Sequence, residues 1–294
     1  MIDSALATKP DSDNVATLSL KAIFKRFKWR ISFTLGLVVV ETLLELLYPL
    51  FIGWAINDLL NDSHDGIYLL FGLGAVSLLM GSARRFYDTR IYAGIYQTIT
   101  PEMVLKEKAR HRSVSSISAR SNLLTEFVEF LENSMPEVIG AVIGLVGVLI
   151  IISSLNLSVF FACFGLLGLV TLIYLLTGNL NYRLNAGYNE ELEKQVNEIA
   201  QPDIERLKIH YRRLMKWNIR LSDLETSNYF FIWAGVIALF VYAPLAAIDS
   251  GTVNYGLIFS LLMYVFEYIE KVATLPLYVQ QVIRLKEIAS RLRN

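Results

Sequence analysis

Residues 135–177 read MPEVIGAVIGLVGVLIIISSLNLSVFFACFGLLGLVTLIYLLT, with Glu137 as the only charged side chain. A hydrocarbon core about 30 Å thick takes roughly 20 apolar residues per helix. Backbone groups in lipid have no water to bond to, so a crossing segment must satisfy them within a helix. The stretch is therefore long enough to cross twice, over 135–153 and 157–177, with Ser154, Leu155 and Asn156 at the turn. Working outward, four more blocks meet the same requirement: 31–54, 67–83, 229–247 and 253–276. The second of the six is expected to continue as a helix past the membrane. The first is the least apolar, because it carries Glu41 and Glu45, and each acid at a helix centre costs about 2.5–3.5 kcal/mol on insertion.

Composition agrees with this reading. Of 294 residues, 54% are hydrophobic and 18% charged, the profile of an all-α polytopic membrane protein. The 27 Lys and Arg balance 27 Asp and Glu, so no net basicity points to nucleic acid. The positions of the cations carry more information than their number. Six lie between Lys9 and Arg30, eight between Arg84 and Arg120, eight between Arg183 and Arg220, and five between Lys271 and Arg293. None falls in the connections 57–66, 154–156 and 248–252, so the positive-inside rule makes those three external and both termini cytoplasmic, in a cytoplasmic (inner) membrane. Cys163 is the only cysteine, which excludes an internal disulfide and a cysteine metal cluster. No cleaved targeting peptide is expected before the first block. Residues 1–18 read as a flexible tail, and 19–294 as one membrane domain.

Two long cytoplasmic segments separate the spans. Between the fourth and fifth, Leu184, Tyr188, Leu192, Val196 and Ile199 recur at helical steps. Past Pro202, the stripe resumes with Ile204, Leu207, Tyr211, Leu214, Leu221 and Leu224. The pattern predicts two amphipathic helices joined near 200–203, with Pro202 tolerated in the first turn of the second. Glu190, Glu191, Glu193 and Glu198 on one arm could face Arg206, Lys208, Arg212 and Arg213 on the other, or remain solvated surface charge. Residues 101–132 read as a second, Ser-rich excursion, broken around 113–121.

Six spans, short outer loops and cytoplasmic intrusions after spans two and four resemble the exporter-type (type IV) ABC transporter transmembrane domain. The likeness covers about 18–293. It is carried by 85–156, including Ser-Leu-Asn-Leu-Ser at 154–158, and by the C-terminal RLKEIASRLR at 284–293, similar to the helix that leads into an ATPase domain. The resemblance implies a homodimer around a central cavity in the lipid bilayer. Spans four and five would cross to the partner, and loop tips near 112–119 and 200–203 would dock on a separate ATPase. A small-molecule or peptide substrate follows from the same likeness. The chain departs from the family's full-length pattern in having no G-x-x-x-x-G-K-S/T phosphate loop, so it holds no machinery for ATP chemistry and no cofactor is expected. The second hairpin is also shorter than usual. Those departures leave open an ATPase acting in trans, or an ATP-independent, proton-coupled use of the fold. A non-transporting scaffold that binds a partner through residues 204–224 is a further alternative.

Four carboxylates are the candidate site. Counting 1.5 Å per residue from Arg30 places Glu41 roughly 16 Å into the membrane, with Glu45 one turn deeper on the same face. Intramembrane carboxylates are functional candidates by default, the alternative being a structural pair with a neighbouring helix. In the sixth span Ser260, Glu267, Glu270 and Thr274 share a face, with Lys271 four residues after Glu267 and placed for an ion pair. Arg84 and Asp88 make a similar pair, read as structural. Gly140, Gly144 and Gly147 could bring helices close, and Pro49, Pro136 and Pro244 could kink them. His64, His111 and His210 show no ligand spacing, and no catalytic triad pattern is present.

Overall fold

The computed structural model describes residues 20–200, 203–248 and 254–293. The expected tail 1–18, Pro202, and the outer connection beyond Ile248 lie outside them. The elements among the described residues are all helical: α1 (Leu20–Glu45), α2 (Tyr48–Leu60), α3 (Asp65–Ala109), α4 (Val114–Glu129), a π-helical turn (Phe130–Ser134), α5 (Met135–Leu155), α6 (Leu157–Ala200), α7 (Ile204–Ile248) and α8 (Tyr255–Arg293).

Among the described residues, five segments are long and apolar enough to cross a membrane: Ile23–Leu60, Asp65–Ala109, Val114–Leu155, Leu157–Ala200 and Ile204–Ile248. The sixth expected block, 253–276, starts outside the described residues, and the part of it within α8 takes in Glu267, Glu270 and Lys271.

The first expected span is two helices. Pro49 has no N–H for the Glu45 carbonyl, and its ring crowds the preceding turn. The chain responds by tightening: Leu46 N–H still reaches Thr42 O at 3.0 Å, but Leu47 N–H reaches only Leu44 O at 3.1 Å, and α2 then starts with Pro49 in its first turn. Pro136 acts similarly on the other side of α4. It cannot bond the Glu132 carbonyl, and the wider π turn occupies the residues just before it. Pro101 and Pro244, by contrast, sit inside α3 and α7.

Two compact units divide the chain: Met1–Tyr48 with Ile67–Gly147 and Ala273–Asn294, and Pro49–Gly66 with Val148–Val272. In the first, Ile23, Phe27 and Ile31 of α1 pack with Tyr92, Ile95, Ile99 and Met103 of α3 and with Leu124, Phe127, Val128 and Leu131. The spacing of four on α1 and of three or four on α3 puts each set on one helical face. This core includes Ile23 and Phe27, which precede the first expected block at 31–54. Helix α1 starts at Leu20, its Lys25, Arg26, Lys28 and Arg30 are exposed, and Arg26 makes a two-pronged bond to Glu102 on α3 at 2.7 and 3.0 Å. Farther along, Gly140 and Gly147 of α5 stand against Thr42 of α1 and Leu46 just past its end. A Cβ at Gly147 would lie 2.3 Å from Leu46 Cδ1, so two of the three expected glycines do let helices approach.

In the second unit α2 and α8 meet backbone to backbone. A Cβ on Gly256 would lie 2.0 Å from Gly53 O. Ser260 Oγ donates to Pro49 O at 2.7 Å, Gly256 N–H to Asn57 Oδ1 at 2.9 Å, and Leu257 N–H to Asn254 Oδ1 at 2.8 Å. Two asparagines thus satisfy the orphan donors at the start of α8. Asn156 does the same for α6: its Oδ1 accepts from Val159 N–H at 3.0 Å, while its Nδ2 donates to Ala246 O of α7 at 3.1 Å.

Helices α6 and α7 form the expected hairpin, with a shift in its packed face. Leu184, Glu191, His210, Leu214 and Leu221 are buried, whereas Leu192, Val196, Ile199, Ile204 and Tyr211 are exposed. Gly187 makes room for Trp217, whose ring a Cβ there would approach to 2.9 Å. The charges pair mostly along their own arm: Lys194 with Glu190 at 3.0 Å, Lys208 with Glu205 at 3.0 Å and Arg206 with Asp203 at 3.8 Å.

Candidate functional site

Helix α1 brings Glu41 against α3, where Arg84 is shared between two carboxylates. Arg84 Nε donates to Glu41 Oε2, and Arg84 Nη1 donates to Asp88 Oδ2 at 2.9 Å. The Arg84–Asp88 pair is the expected i,i+4 contact. Its link to Glu41, 43 residues away in sequence, was not readable from spacing. Gly81 makes the approach feasible, since a Cβ there would lie 2.9 Å from Glu41 Oε1. The two carboxylates are not equivalent. Glu41 retains 17% of its side-chain exposure, whereas Asp88 is buried and its Oδ1 has no hydrogen-bond partner. One turn on, Tyr92 is fully buried and its hydroxyl lies 3.1 Å from Thr34 Oγ1 of α1.

The pairing sets Glu41 level with Arg84, just past the second expected span of 67–83, and Thr34 level with Tyr92.

The other candidates sit differently. Glu45, the last residue of α1, is exposed, on the side of the break made by Pro49. In the second unit, Glu267 is half-buried and pairs with Lys271 at 3.7 Å, the i,i+4 contact expected, and Glu270 is exposed. Ser260, on the same expected stripe, is buried and turned to the α2 backbone. Tyr268, on the buried side of α8, donates to Cys163 O at 2.6 Å.

Sequence reasoning missed two polar centres in the helical extensions. Glu107, at the end of α3, is 2% exposed and collects Arg120 at 3.0 Å, Arg110 at 3.5 Å and Arg112 at 3.8 Å. Around it the chain leaves α3, passes through His111 at φ 55°, and enters α4 with Ser113 as N-cap, its Oγ accepting from Ser116 N–H at 3.3 Å. The break, at residues 110–113, thus falls at the start of the expected 113–121 range, and 114–121 is helical. A signal did exist, for Glu107 is a lone acid among Lys106, Lys108, Arg110, Arg112 and Arg120. The second centre is the buried pair His210 Nδ1 and Glu191 Oε1 at 3.2 Å in the hairpin seam, with Lys194 at 3.5 Å from Glu191 Oε2.

The arrangement is one of ion pairs and hydrogen bonds. Among the described residues no three His, Cys, Asp or Glu come together to hold a metal. The 294 residues contain no phosphate-loop motif. No curated protein matches the chain. Residues 20–266 match the family described as ABC transporter transmembrane region, a span that takes in every helix through the opening turns of α8, together with Glu41, Arg84 and Asp88. With most of its length so matched, the chain belongs to that family of membrane-embedded transporter domains.

Proposed function

We propose that the chain is the transmembrane subunit of an exporter-like ABC transporter. It crosses the inner membrane six times with both termini cytoplasmic, and two copies enclose a path for a small amphipathic or cationic solute. The observation that carries this reading is the length of α3, α6 and α7, at 45, 44 and 45 residues. At 1.5 Å per residue each is about 65 Å long, roughly twice a bilayer core of about 30 Å. Each therefore leaves an arm of some 30 Å in water, enough to carry a docking surface for a separate ATPase. The cation distribution supports placing those arms in the cytoplasm. In this reading Glu41, Glu45, Glu267 and Glu270 contribute acidic side chains to the solute path, and residues 19–294 act as one membrane domain behind a flexible tail 1–18.

The arm tips contain the Glu107 and Glu191–His210 centres, whose buried polar groups fix local geometry at a place where rigid transmission of force would be needed. The exposed Leu192, Val196, Ile199 and Ile204 give the second arm an apolar face suited to a partner. A proton-coupled path is the second reading, favoured by the excess of carboxylate over cation around Arg84.

The test is uptake of fluorescent amphipathic cations into liposomes containing the purified chain, with the candidate ATPase and ATP, or with an imposed pH gradient. Glu41→Gln combined with Glu45→Gln should reduce uptake at least tenfold. Undiminished uptake by the double variant would remove these carboxylates from the path. Stimulation by the gradient alone would select the second reading.

A further inference from the structure

Arg84 carries one positive charge and is the cationic partner of both Glu41 and Asp88. With both acids ionised, the group of three holds one uncompensated negative charge. Asp88 is 4% exposed, and its Oδ1 neither touches solvent nor meets a donor. A buried carboxylate oxygen without a partner is costly, and a carboxylate in that position relieves the cost by taking a proton. The charged and titratable groups facing it are few. Arg84 and Glu41 act on Asp88 directly, and Tyr92 lies one turn along α3, with Glu132 of the π turn acting on that tyrosine. A metal cation is a poorer occupant than a proton, because the guanidinium already fills the space between the two acids and would repel it.

We propose that Glu41, Arg84 and Asp88 form a binding site for one exchangeable proton, which rests on Asp88 Oδ1. Glu41, retaining some exposure, is the route by which water reaches the group. Protonation turns an acceptor-only oxygen into a hydroxyl and makes the group electrically neutral. Deprotonation leaves two carboxylates competing for one arginine, so occupancy of the site and the α1–α3 contact are coupled. The proposal deepens the reading of Glu41 as a path residue, yet it concerns protonation alone and holds whatever solute is carried.

The experiment is infrared difference spectroscopy on the full chain in lipid nanodiscs, following the C=O stretch of protonated carboxyl groups as pH is varied. The wild-type chain should show a buried protonated carboxyl at neutral pH. Two neutralising variants, Asp88→Asn and Glu41→Gln, should each remove it, because one remaining carboxylate pairs fully with Arg84 and stays ionised. Arg84→Lys, which retains the charge, should retain the band, and it guards against loss through misfolding. A wild-type chain with no such band, or a band that survives both Asp88→Asn and Glu41→Gln, would overturn the proposal. Because no solute is added, the outcome is separable from the transport test.

Discussion

Replacing Glu107 by Ala should loosen the α3–α4 turn without unfolding the membrane-spanning helices. The wild-type carboxylate is 2% exposed, and Arg120, its closest partner, has a side chain 16% exposed. Arg110 and Arg112 are about half exposed and can rehydrate once released. A hydrogen bond involving charged groups contributes about 1.5–3 kcal/mol, and an exposed ion pair about 0–1 kcal/mol. The loss is therefore dominated by Arg120, at about 2–3 kcal/mol. At 1.4 kcal/mol per tenfold, that raises the local opening equilibrium roughly 30- to 150-fold. Hydrogen–deuterium exchange in nanodiscs reads this directly. Peptides covering the end of α3 and the start of α4 should exchange faster by that factor, while peptides from α6 and α7 remain unchanged. Glu107→Gln, which retains the shape but not the charge, should fall between. Unaltered exchange at 107–117 in the Ala variant would mean that the arginines do not depend on Glu107. Uniform acceleration along the whole chain would mean that the centre supports global rather than local stability.

Other perturbations follow from single contacts. Gly256→Val forces a side chain into the Gly53 carbonyl and should cost about 3 kcal/mol by overpacking, read as a lower midpoint of thermal unfolding in detergent; an unchanged midpoint would mean that α2 and α8 can separate freely. Asn156→Ala removes the N-cap of α6 and its bond to α7, and should cost about 1–2 kcal/mol, whereas Asn156→Asp should retain the cap and lose only the bond to Ala246 O. In the hairpin, Gly187→Leu should expel the Trp217 ring and shift its fluorescence to the red, a change that Gly187→Ala should show in smaller measure.

What the sequence discloses is what the bilayer and proline enforce. The apolar blocks from 67 to 247 stand out because lipid accepts few charges, and the break before Pro49 follows from a missing donor. The two arms of the hairpin were legible, but not their packed face. An apolar stripe at steps of three and four admits neighbouring registers, and here Glu191 and His210 occupy the seam while Leu192 and Tyr211 turn outward. A search for apolar periodicity passes over such a polar seam. The start of α1 was hidden for a related reason: Lys25, Arg26, Lys28 and Arg30 mask the Ile23–Phe27–Ile31 stripe between them. Of the candidate site, the carboxylate in the first span and the Arg84–Asp88 pair were each visible. Their union was not, since an ion pair between helices depends on how α1 and α3 align, and neither residue spacing nor composition encodes that alignment.

The side of the membrane on which the long helical arms lie decides between this account and its mirror image. On a Cys163→Ser background, His64→Cys between α2 and α3 and Ser118→Cys in α4 place single thiols at exposed positions. In intact cells a membrane-impermeant maleimide should label His64→Cys, and it should reach Ser118→Cys only after permeabilisation. Labelling of Ser118→Cys from outside, with His64→Cys protected, would contradict the topology on which the proposed function stands.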